Sequence, residues 1–177
     1  GLLVNNVRSL FVDQQGILWA GLNNGISKIN LDDRFQYLPL KESRLGSTPF
    51  DVEIFNDKLY VATNIGLRKL EASPDKLNDQ FVQIAKKSVP SQTWALLTIQ
   101  DKLFIASNNG FGYIDKNDRY SSILSSEISN RVYKIVESTL LTDYLILSSR
   151  NGIYLLNKSN FSKYIKIYDR YVTELVE

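Results

Sequence analysis

One phrase written four times predicts an all-β fold, a β-propeller built of four-stranded blades. The phrase reads LWAGLNNGISKIN at 18–30, LYVATNIGLRKLE at 59–71, LFIASNNGFGYID at 103–115 and LILSSRNGIYLLN at 145–157. Its glycines Gly25, Gly66, Gly110 and Gly152 stand 41, 44 and 42 residues apart. A period of about 40–45 residues with several short strands per unit is the signature of a propeller blade. An α-solenoid can share that period, but it needs amphipathic helical stretches. Here apolar residues alternate with period two, and β-branched and aromatic residues abound.

The first unit shows all four strands. VRSLFVD (7–13) is the first, and the turn DQQG follows, with Asp13 at its start and Gly16 free to take positive φ. ILWAGL (17–22) is the second strand. NNG turns the chain into ISKINL (26–31), DDR turns it again, and FQYLPL (35–40) is the fourth. Pro39 suits an edge strand, since it has no N–H to give to a ladder. The second unit supplies FDVEIF, KLYVAT, GLRKLE and FVQIA. The third supplies WALLTI, KLFIAS, FGYID and YSSIL, and the fourth VYKIVE, YLILSS, IYLLN and YIKIY. The blades are expected at 5–40, 48–85, 91–124 and 130–168. VTELVE (172–177) matches VYKIVE and reads as the start of a fifth. That extra strand, with the lack of any Met, leads us to expect a partial propeller within 1–177, four blades of a larger ring of about seven. Its remaining blades would then cover apolar faces at the two ends.

Composition narrows the function. Hydrophobic residues make up 44% of the chain, enough for a sizeable core, and the net charge of +2 offers no concentrated basic surface for nucleic acid. No apolar run nears the ~20 residues of a membrane helix, so no membrane contact is expected in this segment. Cys and His are both absent, which removes thiol chemistry, disulfides and the commonest general base and metal ligand. There is no G-x-S-x-G and no phosphate loop. Asp51 and Glu53 lie two apart on one strand without an evident partner, so acid–base work is poorly supported. A propeller lyase or glycosidase that relies on His is excluded for this segment. Asp32, Asp33, Asp115 and Asp118 lack the ligand count of a Ca²⁺ loop. We therefore expect no catalytic residues, no metal and no cofactor.

NNVRSLFVDQQGILWAGLNNGISKI (5–29) resembles the two-component regulator propeller repeat, roughly N-x-V-x-x-(I/L)-x-x-D-x-x-G-x-(I/L)-W-(I/A/V)-G-(T/L)-x-x-G-(I/L). Asn5, Val7, Leu10, Asp13, Gly16, Leu18, Trp19, Gly21, Gly25 and Ile26 fall on that pattern. The other units lack the D-x-x-G turn and carry Tyr60, Phe104 and Ile146 in place of Trp19. The resemblance implies the extracytoplasmic, periplasmic sensor of a membrane-bound histidine kinase, often a hybrid kinase of Bacteroidetes. It implies two successive propellers of about seven blades and an immunoglobulin-like module. It also implies an adjacent sensor module in the same chain, a homodimeric receptor and oligosaccharide ligands. A non-enzymatic propeller scaffold for protein partners is the alternative, and a carbohydrate-cleaving propeller with its acids in other blades is a third.

Comparing the units with one another separates repeat positions from free ones. Trp19 aligns with Tyr60, Phe104 and Ile146, apolar in every unit, and reads as core. Trp94, aligned with Phe50, Val7 and Val132, reads the same way. One step on, the units show Arg8, Asp51, Ala95 and Tyr133, which differ in every unit. First strands line a propeller's channel, so these residues, with the loops KESRLGST, KKSVPSQ and SSEISNR leading into them, form the candidate contact surface. The ligand-binding candidates are Arg8, Asp51, Gln92, Arg131 and Tyr133. Asp13, Gly16, Trp19, Gly25, Gly66, Gly110 and Gly152 are read as structural repeat positions, and the Asn-Gly phrases as hairpin turns.

Overall fold

The computed structural model describes residues 6–23, 25–29, 35–39, 47–71, 80–84, 92–123, 128, 131–170 and 172, and for 35–39 and 80–83 the backbone alone. Among the described residues, sixteen strands make four antiparallel sheets, each with its strands in chain order. The first holds β1 (Val7–Val12), β2 (Leu18–Leu22), β3 (Gly25–Ile29) and β4 (Phe35–Pro39). The second holds β5 (Pro49–Phe55), β6 (Lys58–Thr63), β7 (Gly66–Glu71) and β8 (Gln80–Gln83). The third holds β9 (Thr93–Ile99), β10 (Lys102–Ser107), β11 (Gly110–Ile114) and β12 (Tyr120–Ser122). The fourth holds β13 (Val132–Glu137), β14 (Tyr144–Ser149), β15 (Gly152–Asn157) and β16 (Tyr164–Tyr168). No helix occurs among the described residues. Pro39 lies on β4, the outer strand of its sheet, paired with Gly25. The proposed fifth-unit strand VTELVE, apart from Val172, lies outside the described residues.

Two compact units divide the chain, 1–93 and 94–177. In each, the second strand of a sheet shows how a blade is held. A strand covered on one face alternates buried and exposed residues. Leu59–Thr63 of β6 and Leu103–Ser107 of β10 are buried without a break, so both faces of these strands are covered. In the first unit, Trp19 and Ile26 of one sheet pack with Val52, Leu59 and Val61 of the next. A Cβ at Gly21 would press into Ser9 and stand 3.2 Å from Pro49 Cγ, which shows how closely the first sheet meets β5. In the second unit, Phe104, Ala106 and Phe111 pack with Ile135, Leu145, Leu147 and Tyr154. Phe104 and Phe111 stack at 5.6 Å. The core therefore sits between sheets rather than within one, as blades require.

Three of the hairpins joining second to third strands share one device. Three residues before the turn glycine stands a fully buried hydroxyl in three units: Thr63, Ser107 and Ser149. Each donates to the carbonyl of its glycine, Gly66, Gly110 or Gly152, at 2.6, 2.9 and 3.1 Å. Each also accepts the N–H of Ile65, Asn109 or Asn151. The three glycines have φ of 115°, 106° and 141°. The hydroxyl thus satisfies polar groups that burial would otherwise leave costly. The first unit has Leu22 at that place, fully buried as an apolar residue instead.

Some apolar surface stays open. Leu10 and Val12 of β1 are 63% and 60% exposed, and Ile165 and Ile167 of β16 are about half exposed. Among the described residues no helix is long and apolar enough to cross a membrane, which says nothing of a β-barrel.

Candidate functional site

The first strands of three sheets carry a β-bulge where they meet the second strand. Val7 pairs with Leu22 and Ser9 with Gly21, so Arg8 is the extra residue. Pro49 pairs with Thr63 and Asp51 with Ala62, so Phe50 is extra. Val132 pairs with Ser149 and Lys134 with Ser148, so Tyr133 is extra. A bulge re-aims its side chain, and bulges recur beside functional sites. Counting back from the turns at Asn56–Asp57 and Gln100–Asp101 sets Trp94 on the same row as Phe50.

This register corrects the comparison of units made from sequence. Asp51 is the counterpart of Ser9 and Lys134, not of Arg8. Trp94 stands with Phe50, Tyr133 and Arg8, not with Val7 and Val132. The row at the bulges is therefore Arg8, Phe50, Trp94 and Tyr133, three aromatic rings and a guanidinium. In the second unit the Trp94 and Tyr133 rings lie 5.7 Å apart, tilted by 58°. Both residues are half-buried.

The candidate residues fall as follows. Arg8 is exposed, and its Nε donates to Asn23 Oδ1 at 2.7 Å, across the hairpin of the first sheet. Asp51 is half-buried and accepts the N–H of Val52 at 2.9 Å, an arrangement that holds the carboxylate against its own backbone. Gln92 is half-buried just before β9. Arg131 is exposed just before β13, its carbonyl accepting the N–H of Arg150 at 3.0 Å. Arg8, Asp51 and Gln92 belong to the first unit, Arg131 and Tyr133 to the second. Much of the loops KESRLGST, KKSVPSQ and SSEISNR lies outside the described residues.

The strongest polar construction is at the other end of β1. The Asp13 carboxylate accepts the N–H of Gln15 and of Ile17, each at 2.9 Å, and its second oxygen accepts Trp19 Nε1–H at 2.9 Å. Lys28 lies over the Trp19 ring at 5.4 Å. Burial pushes the Asp13 carboxyl up, but the hydrogen bonds from Trp19, Ile17 and Gln15 and the Lys28 charge outweigh it. The net pKa is lowered, so the group is a carboxylate at neutral pH. Every oxygen serves the turn or the indole, which is the work of an anchor rather than of a base. Asp115 likewise accepts the N–H groups of Asn117 and Arg119, and Asp32 and Asp33 lie outside the described residues. Among the described residues, no three acidic side chains gather where an ion could sit.

The family model for the two component regulator propeller matches residues 1–24, the stretch that carries Asp13, Gly16 and Trp19. Among solved structures, the chain is similar to the extracellular domain of a B. thetaiotaomicron protein assigned both as a one-component and as a hybrid two-component system. The TM-score is 0.73 at 18% identity, over 94% of this chain and 22% of that one. Virginiamycin B lyase from Staphylococcus aureus superposes with a TM-score of 0.65 at 14% identity, over 91% of this chain and 55% of the lyase. A streptogramin B lyase gives 0.68 at 11%, over 93% and 56%. The chain thus spans between about a fifth and just over half of the length of these structures. At such identities the likeness is one of fold, and the four sheets are blades of a β-propeller. No curated protein matches the chain in sequence.

Proposed function

We propose that this chain is part of a ligand-sensing propeller of an extracytoplasmic two-component receptor, lying in the periplasm and passing its signal to a histidine kinase outside these residues. The observation that carries this reading is the repeat on residues 1–24, found in a chain whose fold is shared with an extracellular receptor domain. The ligand class we propose is an oligosaccharide. An apolar sugar face would lie on Trp94 and Tyr133 of the second unit, with Arg131 to meet hydroxyl groups. Arg8, Asp51 and Gln92 are proposed separately, as contacts within the first unit. Binding would signal by favouring one arrangement of a receptor dimer over another, because only differential affinity shifts an equilibrium.

A thermal-shift screen of the whole extracytoplasmic region against neutral and charged oligosaccharides tests this. Saturable stabilisation by one glycan class, reduced by Arg131→Ala and Tyr133→Ala, is the expected result. A glycan that binds without changing the dimer would refute the signalling step. No stabilisation by any glycan would favour a second reading, a scaffold for protein partners. The likeness to streptogramin B lyases concerns fold, and a chain without His gives no support for a His-dependent lyase in this segment.

A further inference from the structure

We propose a second binding site in the 94–177 unit, for a compact carboxylate that carries a six-membered ring. It lies toward the opposite end of β9 from Trp94, about 20 Å along the strand, and it stands independently of the sensor reading. The turn between β9 and β10 and the turn after β15 line one cleft of about 180 Å³. Its walls include Gln100, Lys102, Phe104, Lys158, Ser159 and Phe161.

Two features of this cleft point to a ring and an anion. The first is size and surface. An apolar cavity of about 150 Å³ takes a benzene ring, and this cleft is slightly larger. One wall is Phe161, set edge-on to Phe104 at 5.2 Å and 6.4 Å from Tyr113, so the aromatic surface is fixed by its neighbours. The second feature is charge. Lys102 and Lys158 approach from different sheets, with side chains only 32% and 22% exposed. Each already has one carboxylate partner outside the cleft wall: Asp101 for Lys102, at 3.5 Å, and Glu137 for Lys158. An ammonium has three N–H donors, so one partner leaves donors for a ligand while limiting the freedom lost on binding. Lys102 is further steadied over the Tyr113 ring at 5.4 Å.

The chemistry fits two sources, an aromatic acid and an acidic sugar. Isothermal titration of the full chain with benzoate and, separately, with glucuronate distinguishes them. Glucose and inorganic phosphate serve as the uncharged ring and the ringless anion. A ligand of about a dozen heavy atoms is expected to bind near 1 mM. Lys102→Gln and Lys158→Gln should each weaken the binding acid by about tenfold, the loss of one charge-assisted hydrogen bond. Lys158→Arg should retain binding, and Lys116→Gln, at an exposed turn, should leave it unchanged. Far-ultraviolet circular dichroism and Tm verify that each variant folds. Should one lysine variant not fold, the other and Phe161→Leu carry the test. Saturable binding of either acid with this pattern supports the site, and the tighter acid identifies the source. The proposal is overturned if neither acid saturates up to about 50 mM, if the lysine variants bind as well as the parent chain, or if glucose or phosphate binds equally well.

Discussion

The turn at Asp13–Ile17 joins β1 to β2, the turn at Asp115–Arg119 joins β11 to β12, and the two are hydrogen-bonded alike. In each, the aspartate carbonyl accepts the N–H three residues on, from Gly16 or Asp118, at 3.0 Å. In each, the carboxylate accepts the N–H groups two and four residues on, at 2.9 and 2.9 Å in the first turn and 2.8 and 3.0 Å in the second. In each, the fourth residue is left-handed, Gly16 at φ 76° and Asp118 at φ 59°. The difference lies beyond the turn. Asp13 is buried and its remaining oxygen holds the Trp19 indole, which packs against Val52, Leu59 and Val61 of the next sheet. Asp115 closes a hairpin whose other turn residues are mostly exposed. A turn built by local chemistry can therefore matter little or much, according to what its spare hydrogen-bonding group reaches.

Trp19→Ala should have the largest effect of any change in the two turns. It removes the indole from the core between the first two sheets and leaves Asp13 Oδ2 without its donor. A loss of about 3–5 kcal/mol is expected in urea unfolding. No single change in the 115–119 turn should approach it.

Asp13→Asn comes next, at about 1–2 kcal/mol near neutral pH. One amide oxygen can still accept the turn N–H groups, but the amide N–H would face the indole N–H. The pH dependence sharpens this result. The folded pKa of Asp13 is lowered, so its contribution is fully present above the ordinary carboxylate value of about 3.9. It is lost as pH falls from there through the folded value. The Asn variant should lose its disadvantage over that same window. Asp115, whose pKa is lowered chiefly by the Arg119 backbone hydrogen bond, has the same sign. Asp115→Asn should cost less than Asp13→Asn, since both of its turn bonds survive and no indole is affected. Equal costs in the two turns would show that the indole bond adds nothing.

The smallest effects belong to the left-handed positions. A Cβ at Gly16 meets nothing within 4 Å, so Gly16→Ala pays only for its φ, about 1 kcal/mol. Asp118→Gly relieves that strain but adds freedom to the unfolded chain, and a net change below about 0.5 kcal/mol is expected. Thermal unfolding of the two variants side by side checks both.

Particular residues show how far the sequence could be read. The period of the glycines and the alternation of apolar residues marked the strands now seen in all four sheets. Asp13, Gly16 and Trp19 were visible as a repeat pattern, but nothing in their spacing said that carboxylate and indole bond to each other. The hydroxyls Thr63, Ser107 and Ser149 were in plain view three residues before each glycine, a regularity that could have been found by aligning the phrases. The bulges left no such mark. Arg8 shares no residue type with Phe50 and Tyr133, so counting along the strands matches Arg8 with Asp51 and sets Trp94 among core positions. The row Phe50, Trp94 and Tyr133 appeared only when the ladder partners were known.

By itself, then, the sequence determined the all-β blade plan, the positions of the strands and the chemistry of the turns. Those depend on side-chain period, backbone φ and hydrogen bonds spanning a few residues, all of which a short stretch of chain carries within it. Tertiary structure alone decided the register past each bulge, the meeting of Trp94 with Tyr133, the anchoring of Trp19 by Asp13 and the convergence of Lys102 and Lys158 on one cleft. Each of these depends on which surfaces come together across a ladder or between sheets, and a one-residue slip in pairing changes the partners without changing a single local preference.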